Sequence, residues 1–112
     1  MQRYGPVIAQ FAALYPDDGG LQSQLHAVSV TAEDWDLNGA GGHLKLETPP
    51  NAAGVDLEII DALANDRDGA TIDIILHFVA GRLNWGEWYR VDHKPIQSWP
   101  PASIRRHITG TR

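Results

Sequence analysis

The chain contains no cysteine and a single methionine among its 112 residues. Without cysteine it can form no disulfide framework, thiolate zinc site or iron–sulfur cluster, and it has no cysteine nucleophile. Long apolar runs are missing too, since no stretch approaches the length of a membrane span. The first residues, MQRYGPVIAQ, lack the basic and apolar segments of a signal peptide. We therefore expect a cytoplasmic protein with no membrane partner.

The remaining composition is that of an ordinary globular domain, with 43% hydrophobic and 21% charged residues. A chain of this length has room for one hydrophobic core. We expect a single domain over residues 1–112, in which residues 95–112 form a proline-rich, basic tail exposed to solvent.

The formal net charge of −5 is spread unevenly along the chain. Six acids against one base lie between residues 55 and 73, whereas bases outnumber acids from residue 82 onward. An acidic middle disfavours nucleic acid, because affinity for phosphates depends on Lys and Arg replacing counterions. We therefore expect a protein partner and no nucleic acid.

Two helices are predicted at the start of the chain. Between residues 3 and 15, apolar residues recur at spacings of three and four, and Pro6 and Pro16 lie where a helix would begin and end. The acids of PDDGG can cap a second short helix around LQSQLH, which places Leu21 and Leu25 on one face.

From Ala27 onward the apolar period changes to two, which is typical of strands. A first hairpin is predicted through LNGAGG and a second through NDRDG, whose Asp68-Gly69 pair can supply a positive φ. A last strand follows over LNWGEWYRV, and residues 103–107 form at most a short helix. The prediction is an α+β fold with two N-terminal helices packed on a five-stranded antiparallel meander, in which the strand around Ile74 is central and covered on both faces.

The register of the second hairpin decides whether an acidic pair forms. If Asn65 lies opposite Gly69, then Asp61 faces Asp73 and, with His77, could form a small metal-binding or hydrolytic site. A register shifted by two residues places Leu63 opposite Asp73 and separates the acids. A solvated sheet face is the favoured alternative, so no metal ligand is predicted.

Three large aromatic residues crowd the last strand. Alternation places Trp85, Glu87 and Tyr89 on one face, and Gly86, Trp88 and Arg90 on the other. Gly86 either leaves room beside Trp88 or marks a bulge that re-aims Trp85. Trp85 and Tyr89 either form an exposed aromatic patch, as favoured at protein interfaces, or pack under the helices.

No catalytic combination is evident. The chain has no HExxH, and none of its serines occurs in a G-x-S-x-G context. The glycines of GAGG join two strands instead of opening a helix, so they form no phosphate cradle. We predict no catalytic residue and no cofactor.

The final third, DRDGATIDIILHFVAGRLNWGEWYRVDHKPIQSWP, resembles a family of small bacterial proteins classed as a domain of unknown function. The matching positions are Asp68-Gly69, Ile72, Leu76-His77, Gly81, Leu83, Glu87 to Arg90, Asp92, Pro95-Ile96 and Pro100. Trp88 stands at an apolar position of that pattern, so the resemblance implies that it is core, whereas Gly86 departs from the large apolar residue usual in that family. The resemblance implies the helix-and-meander fold and a bacterial origin, and it supplies no activity.

The leading functional hypothesis is a non-enzymatic, immunity-type inhibitor that binds a basic toxin or nuclease domain. The predicted partner-binding residues are Asp56, Glu58, Asp61, Asp73, Trp85, Glu87 and Tyr89. Two alternatives remain: the metal-binding or hydrolytic site of Asp61, Asp73 and His77, and a homo-oligomeric module, for example a homodimer.

Overall fold

The computed structural model describes residues 5–107 and shows two helices beside one antiparallel sheet of six strands. The elements are α1 (Gly5–Leu14), α2 (Gly19–Ala27), β1 (Ser29–Trp35), β2 (Gly41–Glu47), β3 (Ile59–Asn65), β4 (Thr71–Val79), β5 (Arg82–Arg90) and β6 (Arg105–Arg106). The predicted α+β class is confirmed. The predicted helix start at residue 3 and the tail residues 108–112 lie outside the described residues.

Both helices pack on the same face of the sheet. Helix α1 buries Val7 and Phe11 there, and it ends before Pro16, as the sequence predicts. Helix α2 is capped by Asp18, whose Oδ1 accepts the Leu21 N–H at 3.0 Å. Neither described helix has the length and apolar composition to cross a membrane.

Helix α2 also buries Gln24, which its apolar pattern does not reveal. The Gln24 amide donates to the carbonyls of Ala53 and Gly81, and its oxygen accepts the Leu83 N–H at 2.9 Å. These bonds join α2 to the turn between β4 and β5 and to the connection that precedes β3.

The strand order differs from the predicted five-stranded meander. Strands β3, β4 and β5 do form a meander, but β2 pairs with β5, so the order is β1-β2-β5-β4-β3-β6. Residues 48–58 therefore carry the chain from one side of the sheet to the other. A period of two fixes the faces of a strand and not its neighbours, so alternation alone could not predict this order.

The prediction of a solvated tail after Pro95, with a short helix at residues 103–107, is wrong. Arg105 and Arg106 instead form β6, which pairs with Leu63 and Ala62 at the edge of β3. Trp99 packs against Trp35 and Trp88, with ring centroids 5.8 and 5.2 Å away. The tail as far as residue 107 is therefore part of the packed domain.

A buried arginine holds the tail against the β3–β4 turn. Arg90, of which 3% is exposed, donates to Asp66 at 2.8 Å, to Asp68 at 2.6 Å and to Asp92 at 2.8 Å. Asp66 also accepts the backbone N–H groups of Gln97 and Ser98. We call Arg90, Asp66, Asp68 and Asp92 the arginine clamp.

The two faces of the sheet have different surroundings. Side chains of β4 such as Ile72, Ile74 and Leu76 are fully buried against the helices, and Trp88 of β5 is 1% exposed, as predicted. No helix in the described part of the chain covers the other face, which we call the open face. Strand β4 is central, as predicted, but it is not covered on both sides.

Candidate functional site

The open face presents every second side chain of β3, β4 and β5. Its residues are Ile59, Asp61, Leu63, Asp73, Ile75, His77, Val79, Trp85, Glu87 and Tyr89, joined by His43 and Lys45 of β2. Five of the predicted partner-binding residues therefore share one surface, namely Asp61, Asp73, Trp85, Glu87 and Tyr89. Alternation predicted that Trp85, Glu87 and Tyr89 share a face, and the pairing of β3, β4 and β5 adds Asp61 and Asp73 to it.

Asp56 and Glu58 are not part of that grouping. Both are exposed and lie before the start of β3. The Glu58 carbonyl accepts the Phe78 N–H at 2.8 Å, so Glu58 lies opposite Phe78. Its side chain therefore belongs to the other face of the sheet from that of Ile59. The acidic run of the sequence is thus divided between the open face and the connection that leads into it.

Trp85 lies on the open face and not under the helices. Its ring is only partly buried and stacks flat on His77, with centroids 3.8 Å apart and planes 2° from parallel. His77 Nε2 lies 2.6 Å from Glu87 Oε2, so Glu87 fixes the imidazole on which Trp85 rests. The other three tryptophans, Trp35, Trp88 and Trp99, form one cluster on the core side.

The strand irregularity near Trp85 lies close to the predicted position but not at Gly86. The β4–β5 register shifts between His77 and Phe78, which leaves Asn84 as the extra residue of a β-bulge. Gly86 keeps a regular place, buried between Leu44 and Leu76. Trp85 thus follows directly on the bulge at the end of the regular ladder.

An apolar margin adjoins the stacked pair. Ile59 lies opposite His77 and is 47% exposed, while Val79 is two residues further along β4 and is 55% exposed. A shallow cavity of about 460 Å³ flanks the other side of Trp85, where its lining includes His43, Lys45 and Asn84. Trp85 therefore stands between exposed apolar side chains and a concave surface.

The acids of β3 and β4 meet even though the hairpin adopts the shifted register. Leu63 lies opposite Asp73, as in the second of the two predicted registers. Asp61 and Asp73 nevertheless remain diagonal neighbours on one face, and diagonal side chains are within mutual reach. The expectation that this register separates them was wrong.

His107, and not His77, completes this group. His107 follows β6, and its Nδ1 lies 2.7 Å from Asp61 Oδ2, while its backbone N–H donates to the Asp61 carbonyl. One potential ligand atom from each of Asp61, Asp73 and His107 lies within 4.8 Å of the other two. We call these three residues the carboxylate–histidine cluster. No local pattern in the sequence indicates it, because 46 residues separate Asp61 from His107.

The electrostatics of this cluster are unusual for surface acids. Asp73 is 8% exposed, and 10% of the Asp61 side chain is exposed. Oδ1 of each carboxylate is buried, and no donor group of the described residues gives it a hydrogen bond. Burial and the adjacent Asp61 carboxyl raise the pKa of Asp73 to about 7, although the hydrogen bond from Tyr89 opposes the shift.

Tyr89 responds to the same surroundings. Burial and the neighbouring Asp73 carboxyl raise the pKa of the Tyr89 phenol. The phenol therefore stays protonated, and its O–H donates a hydrogen bond to Asp73 Oδ2 at 3.0 Å. One carboxylate of the cluster is thereby oriented from the neighbouring strand β5.

No family model, curated protein or solved structure matches this chain. The resemblance to the bacterial family thus stays a prediction. In this structure, the charged residues Asp68, Arg90 and Asp92 from the matching positions belong to the arginine clamp. Much of the resembling pattern therefore has a structural role in this chain.

Proposed function

We propose that this protein is a non-enzymatic binding module, an immunity-type inhibitor of the bacterial cytoplasm whose open face docks on the basic surface of a toxin or nuclease domain. The observation that carries the proposal is the position of Trp85 on a sheet face that no described helix covers. The bacterial origin and the cytoplasmic location are part of the proposal and come from the sequence.

Trp85 has the surroundings of an interface anchor. Large aromatic side chains dominate binding energy at interfaces when a rim of other contacts excludes water from them. Here His77 supports one surface of the indole, and Ile59 and Val79 lie nearby as exposed apolar side chains. A partner could bury all of these groups together.

The charge of the surface favours a cationic partner. The partly or fully exposed acids of the open face are Glu47, Asp61 and Glu87, with Asp34 at its β1 margin, and they outnumber the bases there, which are Lys45, Arg82 and Arg105. The whole chain is also acidic, with a net charge of −5. Opposite potentials raise association rates and reject partners of like charge.

The proposal predicts a large toxin gene next to the gene for this protein, and the test uses the domain encoded at the end of that gene. That domain is co-expressed with the wild type and with Trp85→Ala, and cell growth and the dissociation constant are measured. We expect the wild type to restore growth and Trp85→Ala to weaken binding at least about tenfold, as expected for an aromatic anchor. Leu37→Ala is the matched control, because Leu37 is fully exposed at the β1–β2 turn and away from the open face.

A charge series tests the electrostatic part of the proposal. Glu87→Lys should slow association, and the wild-type rate should fall as ionic strength rises. Asp17→Lys, an exposed site between the helices, makes the same charge change outside the open face. Equal binding by wild type and Trp85→Ala would contradict the proposal. So would a dimer in solution that Trp85→Ala dissociates, because the open face would then be occupied by a second copy of the chain.

A further inference from the structure

The carboxylate–histidine cluster combines features that together point to a ligand. It contains two carboxylates and one imidazole, drawn from β3, β4 and the segment after β6. We propose that Asp61, Asp73 and His107 bind one divalent transition-metal ion, with zinc as the best-matched ion. This inference does not need the proposed docking partner, but a bound ion would offset the negative charge that Asp61 contributes to the open face.

The two carboxylates of the cluster have too few hydrogen-bond donors. A buried polar atom without a partner costs free energy, so native structures nearly always satisfy such atoms. Oδ1 of Asp61 and Oδ1 of Asp73 are both buried, and no other described residue donates to either, so only a proton shared by the two carboxyls or a bound cation can satisfy them. A cation between them would satisfy two acceptors at once.

Asp61 and Asp73 differ from Asp66, another buried acid, in their hydrogen-bond partners. Asp66 is also buried, but it accepts hydrogen bonds from Arg90, Arg67, Gln97 and Ser98. No Arg or Lys bonds to Asp61 or Asp73 in residues 5–107. Two neighbouring carboxylates repel each other when both are ionised, so a positive partner is required for both charges to persist.

The ligand atoms of the cluster indicate which metal ion it would bind. An imidazole nitrogen with two carboxylate oxygens suits zinc, which commonly takes three protein ligands and leaves a fourth position for water. Magnesium and calcium prefer sites made of oxygen alone. Ligand atoms around zinc lie about 3.4 Å apart for bonds of about 2.1 Å. The atoms of the cluster, up to 4.8 Å apart, therefore need to close by at most about 1.4 Å.

The carboxylates are held in place by groups outside the cluster. The Tyr89 O–H donates a hydrogen bond to Asp73 Oδ2, which leaves Oδ1 of Asp73 for the ion. The backbone N–H of His107 donates to the Asp61 carbonyl, so the ladder at the sheet edge keeps this histidine beside β3. Such supporting bonds orient ligands in known metal sites.

The test is calorimetric titration of the full chain with zinc after treatment with EDTA, with magnesium and calcium as comparison ions. We expect one zinc ion per chain, a rise in Tm with zinc, and no comparable rise with magnesium or calcium at the same concentration. Asp61→Asn, Asp73→Asn and His107→Gln should each weaken zinc binding at least about tenfold, as expected for loss of a ligand. Far-UV circular dichroism of each variant shows whether it is folded.

His43→Gln is the matched control. His43 also lies beside a carboxylate, with Nε2 4.0 Å from Asp34 Oδ2, but that pair is exposed and belongs to no three-residue cluster in the described part of the chain. This variant should bind zinc as the wild type does. If Asp73→Asn fails to fold, cobalt supplies a second readout, since wild-type protein should give the visible absorption bands of a tetrahedral cobalt site.

Three results would overturn the proposal. The first is the absence of saturable zinc binding to the wild type at millimolar concentration. The second is unchanged affinity in folded Asp61→Asn and Asp73→Asn, which would place the ion elsewhere. The third is loss of binding in His43→Gln, which would assign the ion to the exposed pair.

Discussion

At the scale of single residues, two buried aspartates, Asp66 and Asp73, have pKa values that are shifted in opposite directions. Burial alone would raise the pKa of Asp66, but backbone N–H groups of Gln97, Arg67 and Ser98 and the Arg90 side chain outweigh it, so its pKa is lowered. Asp73 is buried beside an acidic neighbour and has only one phenol donor to oppose these effects, so its pKa is raised. The number of donors around each carboxylate, and not the residue type, decides the direction.

The raised pKa of Asp73 predicts a stability that falls with pH. In metal-free protein the native state holds this proton up to about pH 7, whereas the unfolded chain releases it near the ordinary value of 3.8. Between those values the native state binds more protons, so the contribution is complete below about pH 4 and is lost as pH rises through 7. The slope from this group is at most about 1.4 kcal/mol per pH unit.

Asp73→Asn tests this dependence, since asparagine cannot ionise. Free energies of unfolding are measured by urea titration between pH 4 and 8 in EDTA. We expect the decline to flatten in the variant. The groups that face Asp73 are Asp61, His107 and Tyr89, so Asp34→Asn on an exposed part of β1 is the control and should keep the wild-type slope. Parallel curves for wild type and Asp73→Asn would contradict the prediction.

At the scale of elements, the β1–β2 hairpin is attached to β5 through two glycines. A Cβ atom at Gly41 would lie 2.2 Å from the Trp88 carbonyl oxygen, and one at Gly42 would lie 2.2 Å from that of Asp34. These residues permit close contact of backbones, which is their role in the GAGG segment. As predicted, the GAGG segment joins two antiparallel strands.

Gly42→Ala should therefore destabilise the protein. The new methyl group would clash with a backbone oxygen and with Cζ2 of Trp88, and neither can move without disturbing the sheet. We expect a loss of at least about 1–3 kcal/mol in the free energy of unfolding, measured by urea denaturation. Gly19→Ala is the control, because a Cβ atom at this position, the start of α2, would have no neighbour within 4 Å. A stable Gly42→Ala would show that the hairpin can shift on β5.

The second hairpin shows how turn geometry sets a register. Asp66 donates its N–H to the Ala70 carbonyl, so the loop itself is only Arg67, Asp68 and Gly69. Gly69 has φ +90°, as the Asp-Gly pair predicts. A three-residue loop with glycine in the third place pairs Asn65 with Thr71, which is the observed register.

At the scale of the whole molecule, the arginine clamp joins three distant segments. Arg90 at the end of β5 binds Asp66 and Asp68 of the β3–β4 turn, while Asp66 binds the tail through Gln97 and Ser98. Hydrogen bonds from Arg90 and from the Lys94 N–H lower the pKa of Asp92 to about 2. The clamp thus keeps the tail in place, and with it β6 and His107.

Arg90→Met should destabilise the whole domain. The substitution keeps most of the side-chain volume but leaves the fully buried Asp66 without its cation. Removal of one partner from a buried ion pair costs about 3–5 kcal/mol, which we expect in thermal and urea unfolding. Arg105→Met removes an exposed arginine that bonds only to Asn65 among its described contacts, and it should change stability by less than about 0.5 kcal/mol. Equal stability of the two variants would show that the arginine clamp does not stabilise the domain.

The sequence by itself determined which side chains share a face, because successive residues of a strand point to opposite sides whatever the strand pairs with. This is why Trp85 was grouped with Glu87 and Tyr89, whereas the prediction that Trp88 is core came from the family resemblance. Only the tertiary structure decided the strand order, the burial of Arg90 and the approach of His107 to Asp61. Those contacts join residues 24 and 46 positions apart, and no local pattern of period two or 3.6 encodes the closure of such distant segments.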